Sequence, residues 1–264
     1  MSLISVPNVS EGRDQAALDA IAAAFGPGLV HRSADPDHHR AVFTRAGEPG
    51  ALHEAVLNGA REAIARVDLT RHAGVHPRVG AVDVAPIVYL DPEDRGAACA
   101  EALVLADEIG QLGVPVYLYG ELGGGRTRAE LRRPGGLENF SPDFGPTALH
   151  PTAGATLVAA RPPLIAFNVE VDAPLDTAKA IARELRETLD VRALGLQLST
   201  TVQVSTNIED HTRVTAADVV AAVRERVRVT GAELVAPAPR AALANFPDDV
   251  PLRGPKPLED HLPS

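Results

Sequence analysis

The chain is short of the residues that many mechanisms need. Of its 264 residues one is cysteine, none is tryptophan and only 3% are aromatic. A single thiol, Cys99, excludes an internal disulfide and any zinc site built on two thiolates. Only Lys179 and Lys256 offer an amine, so a Schiff-base mechanism has two places to go. No Gly-x-x-x-x-Gly-Lys loop occurs, which excludes a Walker-type nucleotide site. No run approaches the ~20 apolar residues of a spanning helix. The opening stretch MSLISVPNVSEGRD lacks the basic start of a secretory signal, so a cytoplasmic location and no membrane partner are expected.

What is present describes a globular protein. Hydrophobic residues make up 45%, charged residues 23%, and the net charge is −10. An acidic, aromatic-poor chain is not expected to bind nucleic acid. Proton transfer falls to histidines, carboxylates and tyrosines.

Strand and helix patterns alternate. Strands are expected at 3–7, 29–33, 41–44, 82–90 and 114–119, with helices over 14–25, 49–67 and from Asp91 to Gly113. Gly120–Pro163 carries eight glycines and six prolines and reads as one long irregular segment. A shorter alternation follows: strands at 164–171, 202–207 and 233–235, helices at 174–189 and 216–229. The pattern predicts an α/β (α+β) protein of two βαβ-type subdomains, residues 1–161 and 162–247, without a convincing internal sequence repeat. The tail 248–264 holds four prolines and is expected to be a strap or disordered.

The densest chemical signal is Arg71-His72-Ala73-Gly74-Val75-His76-Pro77-Arg78-Val79-Gly80-Ala81-Val82-Asp83. Pro77 biases His76 toward an extended backbone, and imidazole suits acid–base work near neutrality. Arg78 can fix a carboxylate with a two-pronged bond. The competing reading is a solvated loop. A second cluster, Asp35-Pro36-Asp37-His38-His39-Arg40, is either a hairpin turn or, with His72 and His76, a metal site. Gly74 and Pro77 argue against a helical metal-ligand pair at His72 and His76. Val6-Pro7-Asn8-Val9-Ser10-Glu11-Gly12 leads from strand to helix; Asn8 or Ser10 caps the helix, or the exposed amides there receive an anion. Glu121 ends a strand, as a ligand contact or as a solvated carboxylate. Arg126, Arg128, Arg132 and Arg133 read as a solvated run or as a steering patch. Pro142–Thr156 is rich in small and hydroxyl residues, fit for a flat ligand or for a mere linker.

Taken together these motifs resemble the formimidoyltransferase family, the folate enzymes of histidine breakdown. The residues that carry the resemblance are Val6–Gly12, Arg71–Asp83, Val114-Pro115-Val116-Tyr117-Leu118-Tyr119-Gly120-Glu121, Pro142-Asp143-Phe144-Gly145-Pro146 and Leu164-Ile165-Ala166-Phe167-Asn168, with a weaker echo in Val204-Ser205-Thr206-Asn207. They occur in family order over about residues 3–245. The resemblance implies two subdomains with mixed sheets facing each other, helices outside, and folate between them. It implies transfer of a formimidoyl group from N-formimidoyl-L-glutamate to N5 of tetrahydrofolate, without a metal, by a homodimer. The family's catalytic histidine falls on His76. Its folate loop falls on Gly145, Pro146, Thr147, Ala148, Leu149, His150, Pro151, Thr152, Ala153 and Gly154. Substrate contacts are expected from Asn8, Asp35, Asp37, Arg40, Arg71, Arg78 and Glu121. A family acidic residue aligns on Ser33, where Asp35 or Asp37 can substitute, and Ala153 stands where animal members carry an aromatic. The chain ends too early for the cyclodeaminase fused to animal members, so that activity is expected to be absent. The alternatives are formyl transfer from N-formylglutamate, a metal-dependent hydrolase using His38, His39, His72 and His76, and a folate-binding module without turnover.

Overall fold

The computed structural model describes residues 3–262, which divide into two compact units that meet in sequence between Pro162 and Pro163. Each is an α/β unit built on a mixed sheet. Among the described residues no helix is long and apolar enough to cross a membrane.

The first unit opens on a strand broken at Val6–Pro7 into β1 (Leu3–Ser5) and β2 (Asn8–Val9). Helix α1 (Gln15–Ala24) follows, capped by Asp14, whose carboxylate accepts from the Ala17 amide at 3.1 Å. Asn8 therefore lies in a strand, and the cap falls to neither Asn8 nor Ser10. Next come the hairpin β3 (Leu29–Asp35) and β4 (Arg40–Gly47), helix α2 (Leu52–Arg66) and strand β5 (Val82–Val88). Helix α3 (Arg95–Gln111), β6 (Val116–Leu118), the short helix α4 (Arg128–Arg132) and β7 (Thr156–Arg161) complete the unit. The sheet runs β3-β4-β1/β2-β5-β7-β6, with β5, β7 and β6 parallel and the other pairs antiparallel.

Strand β7 corrects the reading of Gly120–Pro163 as wholly irregular. Thr156-Leu157-Val158-Ala159-Ala160 is covered on both faces, so it shows neither alternation nor large side chains, and it sits among glycines and prolines. Helices α1, α2 and α3 pack on one sheet face through Leu18, Ile21, Val56, Ala60, Leu105 and Ile109 against Val82, Ala85, Ile87 and Val158. The opposite face carries Val84, Tyr117, Tyr119, Leu157 and Ala159 under Leu131 of α4.

The second unit has β8 (Ile165–Val171), α5 (Leu175–Thr188), β9 (Arg192–Gln197), β10 (Val202–Ile208), α6 (Ala216–Arg224), β11 (Val229–Leu234) and β12 (Leu252–Arg253). Its sheet order is β12-β11-β8-β10-β9. Strand β9 has no counterpart in the sequence reading, because Arg192-Ala193-Leu194-Gly195-Leu196-Gln197 is interrupted by a glycine pressed against the α5 backbone. In the tail, β12 pairs in parallel with β11, and Leu258 is buried at 4% exposure.

Both units share one plan, βαββαβ, with the fourth strand beside the first and the third on its other side. The internal repeat that the sequence hides is plain in the topology.

Candidate active site

The site is built where β5 begins. Asn8 of β2 pairs with Val84, and the next residue, Val9, pairs with Val82, so Asp83 is the extra residue of a β-bulge. Regular alternation would turn Asp83 toward the helices, with Ala85 and Ile87. The bulge turns it instead to the α4 face, together with Val84. On β4, Ala41 and Phe43 enter the helical core, which leaves Arg40 on the α4 face. Asn8 lies on that face too, since its neighbour Val9 enters the helical core. Among the described residues the Asn8 amide has no side-chain hydrogen bond.

Asp83 is fully buried. Its Oδ2 accepts from Arg40 Nη1 at 2.6 Å and from Arg132 Nη2, and its Oδ1 accepts from the Val79 amide at 2.8 Å. Burial alone would raise its pKa; Arg132 and Arg40 outweigh burial and hold the carboxyl well below the usual carboxylate range. Burial and the neighbouring Arg132 push Arg40 down to about 10, against the pull of Asp83. Among the described residues the buried Nε of Arg132 has no hydrogen-bond partner.

His76 sits against this cluster. Its Nδ1 lies 2.7 Å from the Pro77 carbonyl oxygen and 3.2 Å from Arg40 Nη1. The acceptor at the shorter distance, the Pro77 carbonyl, favours the Nδ1–H tautomer over the one in which Nδ1 accepts from Arg40, and in that tautomer the lone pair is on Nε2. Burial, then Arg40 and Arg132, drive the His76 pKa well below the ordinary histidine value, so the ring is neutral.

Two further layers hold the loop. The His39 and His72 rings stack at 4.0 Å, and His38 lies 6.0 Å from the His76 ring. His39 adopts φ 48°, a left-handed turn position. Gly74 has no room for a side chain: a Cβ would stand 2.6 Å from the His38 carbonyl oxygen. The Arg78 guanidinium donates to the His76 carbonyl at 2.6 Å, to the His38 and His39 carbonyls at 3.3 Å, and contacts His72 Nδ1 at 2.6 Å. Arg78 thus knits the loop to the turn. Burial, then Arg78 and His39, push His72 down to about 4. Asp35 accepts from the Asp37 and His38 amides at 2.8 Å, and the Asp37 carbonyl receives the Val75 amide at 3.3 Å. Both acidic residues shape the turn.

The 145–154 segment divides in two. Its second half is locked beside the histidine loop: the Thr152 carbonyl accepts from Leu69 N, the Ala153 carbonyl from Ala81 N, and His150 Nδ1 accepts from the Ala153 amide at 3.0 Å. Ala153 is 1% exposed, inside the core. Its first half, Gly145 through Leu149, is exposed, with Leu149 at 54%.

Two sequence candidates lie elsewhere. Arg71 is 85% exposed and pairs with Asp68 at 3.6 Å. Glu121 pairs with Arg95, beyond the carboxyl end of β6. Val84 and Tyr117 share the register partner Leu157, so Asp83 marks the opposite end of the parallel strands. Asp83 and Arg132 have the reverse history: Asp83 received no role from the sequence, although a lone carboxylate inside the most apolar strand signals a buried partner, and Arg132 reads there only as part of a solvated run or a steering patch. Among the described residues no group of three or more His, Cys, Asp or Glu side chains has a metal-binding arrangement.

Comparison with known proteins bears on the whole chain. Residues 2–161 match the family model described as the formiminotransferase domain, N-terminal subdomain. The glutamate formimidoyltransferase of Streptococcus pyogenes serotype M1 is 33% identical over 266 residues, covering 90% of this chain and 89% of that protein. The glutamate formimidoyltransferase of Thermoplasma acidophilum is 34% identical over 206 residues, 70% of this chain and 68% of that protein. The formimidoyltransferase-cyclodeaminase of Sus scrofa is 39% identical over 237 residues, 78% of this chain but 43% of that protein. This chain spans about half the length of the formimidoyltransferase-cyclodeaminases it matches. With a family model over more than half its length and relatives above 30% identity on either side of the unit boundary, the chain belongs to the formiminotransferase family.

Proposed function

We propose that this protein transfers the formimidoyl group of N-formimidoyl-L-glutamate to N5 of tetrahydrofolate, with His76 as general base. The observation that carries the reading is the seat of His76: its Nδ1 lies 2.7 Å from the Pro77 carbonyl and beside Arg40, burial and the neighbouring guanidiniums favour the neutral ring, and in the Nδ1–H tautomer Nε2 is the nitrogen that can take a proton. As N5 attacks the formimidoyl carbon it loses a proton. His76 accepts it and returns it to the departing glutamate nitrogen, so the transfer leaves no added charge on the reacting nitrogen of either product.

Both substrates are anionic, and the protein carries a net charge of −10. The site reverses that sign locally, because two guanidiniums face one buried carboxylate and Arg128 adds to the field at Arg40. The excess positive charge suits a substrate carboxylate, and the Asn8 amide on the same face suits the formimidoyl nitrogen. The exposed half of the loop, Gly145, Pro146, Thr147, Ala148 and Leu149, is where folate binds in this reading; His150 through Gly154 hold the loop in place. The names of the relatives, glutamate formimidoyltransferase among them, support formimidoyl transfer; the reading takes tetrahydrofolate as the co-substrate and requires no metal. A cytoplasmic homodimer acting on small molecules completes the proposal.

The test mixes purified protein and tetrahydrofolate with formimidoylglutamate and, separately, with formylglutamate, and follows folate absorbance. Turnover of formimidoylglutamate is expected to dominate. Turnover of formylglutamate alone moves the reading to formyl transfer, and binding of tetrahydrofolate with no turnover of either donor removes the enzyme reading.

A further inference from the structure

We propose that Asp83 and Arg132 are positioning residues for His76: the bulge-aimed carboxylate clamps Arg132 beside Arg40, and this clamp fixes the charge and the orientation that the imidazole meets. The proposal deepens the reading of His76 as the base and rests on it.

The geometry is specific. A side chain on a regular β5 would leave this face, and only the bulge brings Asp83 round to it. One oxygen, Oδ2, takes both guanidiniums, so Arg40 and Arg132 are held side by side in spite of their mutual repulsion. The other oxygen takes the Val79 amide and so pins the end of the loop that carries His76. Arg40 Nη1 touches Asp83 and His76 at once. Arg132 comes from α4, whose Thr127–Glu130 capping box and buried Leu131 fix its position independently of the loop. The charged and titratable groups around the ring are therefore Arg40 from β4, Arg132 from α4, Asp83 from β5, His38 from the hairpin turn, and Arg78 bonded to the His76 carbonyl. Two cations against one anion favour the uncharged ring. Loss of Arg132 removes one of those cations; loss of Asp83 releases both guanidiniums from their seat.

Histidine-selective ¹⁵N NMR on the full chain, without substrate, tests this. In the unsubstituted protein the His76 signals should report one tautomer, Nδ1–H, down to the acid edge of the folded range. R132Q should raise the proton affinity of His76 by about tenfold or more, since a close charge moves a neighbouring pKa by roughly one unit or beyond, while R132K retains the original behaviour. D83N should replace the single tautomer by a mixture. Should D83N fail to fold, R132Q and R132K decide alone. An R132Q titration indistinguishable from that of the unsubstituted protein, or a folded D83N with the same single tautomer, overturns the proposal. Because no substrate is present, either result stands apart from the outcome of the transfer assay.

Discussion

The two units repeat one plan and differ in what it carries. In each, the fourth strand of the βαββαβ core is bulged at its second residue, Asp83 in β5 and Thr230 in β11. The residue after the first strand makes the same bond in both, Ser10 N to Ala81 O at 2.8 Å and Asp172 N to Arg228 O at 3.0 Å. In each, the turn of the central hairpin lies at that end. In the second unit the place is an open cavity of about 570 Å³, lined by Asp172, Gln197, Thr200, Thr201 and Thr230 among others. In the first it is filled by a buried carboxylate, two guanidiniums and the histidine loop. The fold supplies the position twice; a buried ion cluster occupies it in the first unit, and the exposed Asp172 lines it in the second. The difference teaches that this topology offers a place for chemistry and does not by itself make a site.

The comparison breaks hardest at Asp83. Asp83→Asn leaves two buried guanidiniums without their anion and should cost about 3–5 kcal/mol, the usual loss when one member of a buried ion cluster is removed. Urea unfolding measures it as a lowered midpoint. The same carboxyl sets a pH dependence. Its folded pKa is depressed, so its stabilisation is complete above the unfolded aspartate value, near 3.9, and is lost as the pH falls below that. Asp83→Asn should flatten the acid limb of the stability curve; an unchanged limb would show that Asp83 does not set it.

A smaller effect is expected at His72, whose pKa of about 4 lies below the unfolded histidine value. With a depressed folded pKa, its contribution is fully present above about pH 6.5 and fades as the pH falls toward 4. His72→Gln should remove that part of the slope, read from urea midpoints at pH 7 and pH 5. An identical slope in both proteins contradicts the stacked, neutral His72.

The smallest effects belong to the exposed counterparts. Thr230→Asp installs in the second unit the residue that the first carries at its bulge, yet Thr230 is exposed; the stability read from the urea midpoint should change by less than about 0.5 kcal/mol. Glu121→Gln breaks an exposed ion pair with Arg95 and should change KM by less than about twofold. A large KM change would return Glu121 to the substrate site.

Much of this was legible in the sequence, for physical reasons that differ by element. Helices α1, α2, α5 and α6 announce themselves by apolar residues three and four apart, and β5 by the apolar run that follows Asp83. The loop from Arg71 to Asp83 stands out because two histidines, two arginines and a proline exceed what a turn needs. The rest was hidden by backbone geometry and by pairing at long range. Strand β7 is buried on both faces and made of small residues. Asp83 reaches the site only through a bulge, which depends on the pairing of β5 with β2, some 74 residues earlier in the chain. Arg132 looks like one of four solvated arginines until α4 is seen to turn it inward. Arg78 matched the pattern of a carboxylate-binding fork, but its donors are taken by the carbonyls of His38, His39 and His76.

The central claim is that catalysis resides at the bulged end of the first unit, on His76. The most direct measurement compares transfer from formimidoylglutamate to tetrahydrofolate by the unsubstituted protein and by His76→Ala, with folding of the variant verified by its urea midpoint. The account predicts a fall in kcat of about 10²–10⁴-fold, the usual contribution of a positioned base. A folded His76→Ala protein that turns over at a near-normal rate would contradict it.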